Sequence, residues 1–165
     1  MLVALSALSA LSALSTWGLV GCGGDGGSGS GSTAISAQPL AGMINGMPWT
    51  FVAGDTDTQF STATSLFATL YDSAIEPACS GFSLQGSMRN LTMSIPTTVG
   101  HYKLSLQMNE TFYYQDGDIS QNDVSTSGEL DVTEVTATTL SGGVKMAFRA
   151  KDAVDGQFQI SICPP

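Results

Sequence analysis

From Gln38 to the last residue the chain alternates apolar and polar side chains with a period of two, as strands do that bury one face and wet the other. The clearest run is 101–109, with Tyr102, Leu104, Leu106 and Met108 on one side and His101, Lys103, Ser105 and Gln107 on the other. Leu130 and Val132 alternate with Glu129, Asp131 and Thr133, and Leu140, Val144, Met146 and Phe148 alternate with Ser141, Lys145 and Arg149. Val154, Phe158, Ile160 and Ile162 then alternate with Asp155, Gln157, Gln159 and Ser161. Residues 65–72 read as a strand buried on both faces, Met88, Leu91, Met93 and Ile95 mark another that stops at Pro96, and 111–115 adds a short one. Near the start, Asn45-Gly46 between apolar runs is the pair that tolerates the positive φ of a type I′ hairpin. Pro48 then belongs on an edge or at a strand start, and Trp49 is expected to close the hairpin as a core anchor. No stretch carries a helical period. About eight or nine strands, joined by short Gly, Asp and Ser turns, predict an all-β domain closed as an antiparallel sandwich or barrel.

The first 22 residues break this pattern. They read MLVALSALSALSALSTWGLVGC, with four Ala-Leu-Ser triplets, no charged side chain, and Leu19-Val20-Gly21-Cys22 at the end. The segment resembles a bacterial lipoprotein signal peptide, in which Leu19-Val20-Gly21-Cys22 is the lipobox. The resemblance implies cleavage before Cys22 and a diacylglyceryl thioether on its thiol. Two competing readings are a retained transmembrane helix, since 2–20 approaches the roughly 20 residues that span a bilayer, and cleavage as an ordinary secretory signal. Four serines and the Gly tract that follows favour the lipobox over the helix. A secretory signal normally opens on Lys or Arg, whereas this one opens Met1-Leu2-Val3, which leads us to expect a longer reading frame upstream. From Gly23 to Thr33 the chain is Gly, Ser, Thr and one Asp, a flexible tether with nothing to bury. The expected organisation is a signal peptide over 1–21, a lipidated Cys22 with a Gly/Ser linker over 22–37, and one β domain over 38–165. The lipoprotein resemblance implies membrane attachment through the acyl chains, and Gly at 23 rather than Asp favours the outer membrane, facing the periplasm or the cell surface.

Charge narrows the list of partners. Five Lys+Arg stand against 14 Asp+Glu, a formal net charge of -9. Nucleic-acid binding needs clustered cations to displace condensed counterions, so that class is excluded. With Cys22 lipidated, Cys79 and Cys163 remain as an even pair in an oxidising compartment and are expected to form a disulfide, the other reading being two free thiols. That bond would pin the C-terminal strand to the loop after Tyr71.

Catalytic chemistry is sparse. His101 is the only histidine, so any histidine-dependent triad must pass through it, and its place at a strand start on the polar side reads as plain solvent exposure. No G-x-S-x-G, H-E-x-x-H or C-x-x-C occurs, and no Gly-rich loop opens a helix to cradle a phosphate. Asp116, Asp118, Ser120 and Asn122 place oxygens at alternate positions, a spacing calcium can use. They depart from the EF-hand pattern, with Gln121 where the turn glycine belongs, and a solvated turn is the expectation. Asp55-Thr56-Asp57 offers a shorter version of the same kind. Phe112-Tyr113-Tyr114 puts rings on both faces of a strand, which makes Tyr113 a candidate aromatic contact. Asn90-Leu91-Thr92 and Asn109-Glu110-Thr111 match the glycosylation sequon by coincidence.

Asn45-Gly46-Met47-Pro48-Trp49-Thr50, then Pro96, Gly100 and Tyr102, then Gly142, Val144 and Phe148, and a closing Gly156-Gln157-Phe158 are similar to small bacterial β-sandwich lipoproteins, a resemblance that transfers no activity and no catalytic residue. The expected function is a non-catalytic envelope binding or interaction module without a cofactor, its partner an envelope protein or a glycan. The alternatives are a structural, protective or inhibitor-like surface lipoprotein and, third, a periplasmic hydrolase.

Overall fold

The computed structural model describes residues 34–75, 78–80, 89–104, 111–116, 119–125, 127–149 and 152–165. Cys22, Asp118, Asn109 and the 105–109 half of the clearest alternating run lie outside them. The described residues form eleven strands and no helix. In chain order these are β1 (Ala41–Ile44), β2 (Met47–Thr50), β3 (Ala53–Asp57), β4 (Ser65–Tyr71), β5 (Arg89–Pro96), β6 (Gly100–Lys103), β7 (Thr111–Asp116), β8 (Ile119–Val124), β9 (Ser127–Val135), β10 (Thr139–Arg149) and β11 (Asp152–Ser161). They hydrogen-bond in the order β6-β9-β10-β11-β3-β4-β5-β7-β8, and the β1–β2 hairpin joins β11 beside β3. The fold is all-β as expected, with eleven strands where the pattern suggested eight or nine.

The first hairpin forms where the sequence placed it. Asn45 and Gly46 sit at φ 51° and 70°, the left-handed pair that a two-residue I′ turn needs. Pro48 lies in β2, an edge strand, where its missing N–H costs no ladder bond. Trp49 is buried at 1% exposure, and its indole N–H donates to the Arg89 carbonyl at 3.1 Å. Arg89 returns a bond from Nη1 to the Pro48 carbonyl at 3.0 Å and pairs with Asp72 at 2.9 Å. One aromatic residue and one cation therefore fasten the hairpin to the start of β5.

Leu70 of β4, Leu91 and Met93 of β5, Leu130 of β9, Leu140 and Val144 of β10, and Phe158 and Ile160 of β11 all belong to one core. These strands lie far apart in the sheet order, so the sheet must curl until its two wings share one apolar interior. Every laddered strand pair is antiparallel except β11–β3, which is parallel and has a single pair in register, Ser161 with Asp55. By contrast β10–β11 carries ten such pairs. Gly54 sits at this junction because a Cβ there would lie 2.6 Å from Ile160 Cγ2. The two halves of the sheet are thus joined by its thinnest ladder.

Residues 34–37, expected to belong to the free linker, lie against the sheet. The Ser36 N–H donates to Asp155 Oδ1 at 2.7 Å, and Gln157 Nε2 donates to the Ser36 carbonyl at 2.8 Å. Two polar side chains of β11, Asp155 and Gln157, capture this backbone, and Ile35 within it is half-buried, a contact that the Gly/Ser run before it hid from a reading by composition.

Candidate functional site

The disulfide forms at the thin junction. Cys79 bonds Cys163, joining the β4–β5 connection to the segment that leaves β11. Two consecutive residues of β3 hold its ends. Asp55 Oδ2 accepts the Cys79 N–H at 2.8 Å, and Thr56 Oγ1 accepts the Cys163 N–H at 2.9 Å. Neighbouring residues on a strand face opposite ways, so β3 grips the bridge from both sides of the sheet. The chain turns back at Cys79 with φ 68°, the left-handed region that few residues other than glycine adopt. Cys79 is exposed and Cys163 is buried.

A carboxylate oxygen of Asp55 and both sulfurs lie within 4.8 Å of one another. As three ligand types this would be a metal site, but metals bind thiolates, and both sulfurs are spent in the disulfide. What remains is a negative group beside a reducible bond. Burial raises the Asp55 pKa above the ordinary 3.8, the Cys79 N–H opposes that shift, and the charge of Asp57 adds to it. Tyr71, on the neighbouring strand, is pushed up to about 12, chiefly by burial and then by the charge of Asp55, with a hydrogen bond from Thr69 acting the other way.

Two grooves flank the bridge along the junction. One, of about 190 Å³, is lined by Ala53, Gly54, Ile75, Ala78, Gln159 and Ser161. The other, of about 300 Å³, runs past Thr56, Thr62, Leu66, Ile162 and Pro165, with Cys163 in its wall. Phe60, next in the chain to a groove residue, is 62% exposed, and its ring lies 5.5 Å from that of Phe67. Hydroxyls of Thr56 and Thr62 and apolar groups of Leu66 and Ile162 in its lining make the larger groove able to take a partner with both kinds of surface.

His101 stands elsewhere, on the outward face of β6. Its side chain is 55% exposed, and Nδ1 meets Asp131 Oδ1 of β9 at 2.6 Å. A carboxylate can only accept here, so Nδ1 is the donor, and Nε2 is the other ring nitrogen. Among the described residues no Ser or Cys is hydrogen-bonded to that nitrogen. Around the pair, Lys103 faces Glu129, Glu129 faces Lys145 and Lys145 faces Asp155 across successive strands, a ladder of alternating charge.

The structure brings Cys79 and Cys163 together and adds Asp55, which sequence reading had weighed only as half of a short acidic pair. Asp116 ends β7 while Ser120 and Asn122 lie in β8, a strand where a solvated turn had been expected. The β7–β8 ladder explains the difference: Tyr113 pairs with Asn122 and Gln115 with Ser120, so polar residues alternate along a strand instead of ringing a loop. The side chains of Tyr113, Asp116, Ser120 and Asn122 lie outside the described set, as does all of Asp118. Asn90 is 0% exposed, which puts that sequon out of reach of any glycosylating enzyme in the folded state. Its amide nitrogen and oxygen have no hydrogen-bond partner, an arrangement no periodicity could reveal. Comparison with known proteins finds no matching family model, curated protein or solved structure.

Proposed function

We propose that the protein is a lipid-anchored component of the bacterial envelope, held at the outer membrane through Cys22, whose β domain is a non-catalytic binding module. The Cys79–Cys163 bond carries the reading, because such bonds persist in oxidising compartments and are rare in the cytosol. A flexible Gly/Ser run between Cys22 and the domain suits display from a surface, and acyl chains in pairs or more hold a protein stably there. The groove beside Cys163, with exposed Phe60 preceding its lining residue Ser61 in the chain, is the contact surface, and its partner is an envelope protein or a glycan.

The experiment compares wild type with Phe60→Ser and Leu66→Asp on glycan arrays and in pull-downs from envelope extract. Specific retention by wild type that both variants lose is the expected result. Retention that survives both substitutions would remove the groove from the account, and no retention in either format would favour a structural or protective role.

A further inference from the structure

We propose that Asp55 is an electrostatic guard on the Cys79–Cys163 bond, slowing its exchange with small thiols and so keeping the β3–β11 junction closed. The proposal stands apart from the lipid anchor and from any ligand in the grooves. It rests on where one carboxylate sits relative to two sulfurs.

The exposed end of the bridge is Cys79, so an incoming small thiolate meets its sulfur first. The S–S bond breaks, Cys79 joins the small thiol in a mixed disulfide, and Cys163 leaves as a thiolate that takes a proton from water. A second small thiolate then attacks the mixed disulfide, releasing Cys79 as a thiolate and a small symmetric disulfide. Two electrons pass from two small thiols to the protein, and no other reductant is needed. Negative charge is shared by the attacking, central and leaving sulfurs in each step. A carboxylate within 4.8 Å of both protein sulfurs raises the energy of that arrangement. Its recorded partner is a neutral N–H rather than a cation, and Asp57 adds a field of the same sign.

Arg89 pairs with Asp72, His101 with Asp131 and Lys145 with Asp155, and none of these three ion pairs includes Asp55. The junction beneath has one ladder pair in register, and the bridge adds a covalent tie to it. Opening the bridge would remove the covalent tie between the β4–β5 connection and the segment that leaves β11, beside the groove that Cys163 lines. A guard at this bond therefore protects the shape of the candidate binding surface wherever small thiols reach it.

The test measures initial reduction rates of the intact domain with an anionic thiol (mercaptoethanesulfonate), a neutral one (2-mercaptoethanol) and a cationic one (cysteamine), each normalised to its thiolate concentration. Asp55→Asn removes the charge while keeping an oxygen to accept the Cys79 N–H. The guard predicts that wild type is reduced slowest by the anionic thiol, and that Asp55→Asn raises that rate roughly 3- to 10-fold while changing the cationic rate least. In wild type alone, added salt should narrow the spread among the three thiols. Equal acceleration of all three by Asp55→Asn would indicate local opening instead, and unchanged rates would leave Asp55 as only a backbone acceptor. Either result, or a salt-independent spread, overturns the proposal.

Discussion

Removing the bridge between Cys79 and Cys163 should cost the domain more than any other two-residue change away from its core. The perturbation is Cys79→Ser with Cys163→Ala, the alanine chosen because Cys163 is buried and a serine there would strand a hydroxyl. The sequence separation is 84, so the bond closes a ring of 85 residues. In the chain-entropy account such a ring restricts the unfolded state by about 4.6 kcal/mol at room temperature. Few native contacts offset its loss, because the parallel junction it spans has only the Ser161–Asp55 pair in register. With a urea slope of roughly 1.5–2 kcal/mol/M for a domain of this size, the midpoint should fall by roughly 2–3 M. Urea titrations of the oxidised wild type and the double variant, followed by Trp49 fluorescence, give that shift directly. Hydrogen exchange should quicken first at Thr56 and Ile162, beside the cut, and later in β10. A midpoint shift under roughly 0.5 M would refute the reasoning, since the junction would then be held by contacts other than the bridge.

Three further outcomes follow from single residues. Asn90→Leu should leave stability unchanged or raise it by about 1–2 kcal/mol, because it removes two buried polar atoms that have no partner. A loss above about 1 kcal/mol in thermal or urea unfolding would show that the amide is satisfied by something bound. Tyr71 is pushed up to about 12 when folded against an ordinary 10.0. The folded state therefore holds that proton more tightly, and stability present below pH 10 should be lost as pH rises toward 12, by about 2 kcal/mol. Tyr71→Phe should flatten that part of the curve, and a profile identical to wild type would contradict the assignment. His101→Ala breaks an exposed pair with Asp131, so the unfolding free energy from a urea titration should change by less than about 0.5 kcal/mol. An in vivo phenotype for that variant would revive a histidine-dependent hydrolase.

Alternation was a sound guide wherever one face of a strand meets the core. Leu130, Val132, Leu140, Val144, Val154 and Ile160 are all buried as their spacing demands, and Asn45-Gly46 makes the turn its chemistry favours. Two strands escaped notice for opposite reasons. In β3 the run Ala-Gly-Asp-Thr-Asp is held by β4 on one side and the bridge on the other, so it needs no bulky apolar residue to be a strand. In β8 the polar run Ile-Ser-Gln-Asn-Asp-Val is recruited by pairing with β7, a tertiary effect that overrides composition. The candidate site was half legible. Counting cysteines gave the pair, but the carboxylate beside it could not be read, because Asp55 comes 24 residues before Cys79 and meets it only through the curl of the sheet. The Asp131 partner of His101 was hidden in the same way, by a separation of 30 residues that only the β6–β9 register closes.

The proposed anchoring depends on Cys22, the residue that would carry the acyl chains and hold the β domain at the envelope. Expression in a bacterium with an intact lipoprotein pathway, followed by detergent-phase partition and intact mass of the mature chain, tests it directly beside Cys22→Ala. The account predicts that wild type enters the detergent phase with Cys22 as an acylated N-terminus while Cys22→Ala stays in the aqueous phase. Wild type and variant together in the aqueous phase, with an unmodified Cys22, would contradict it.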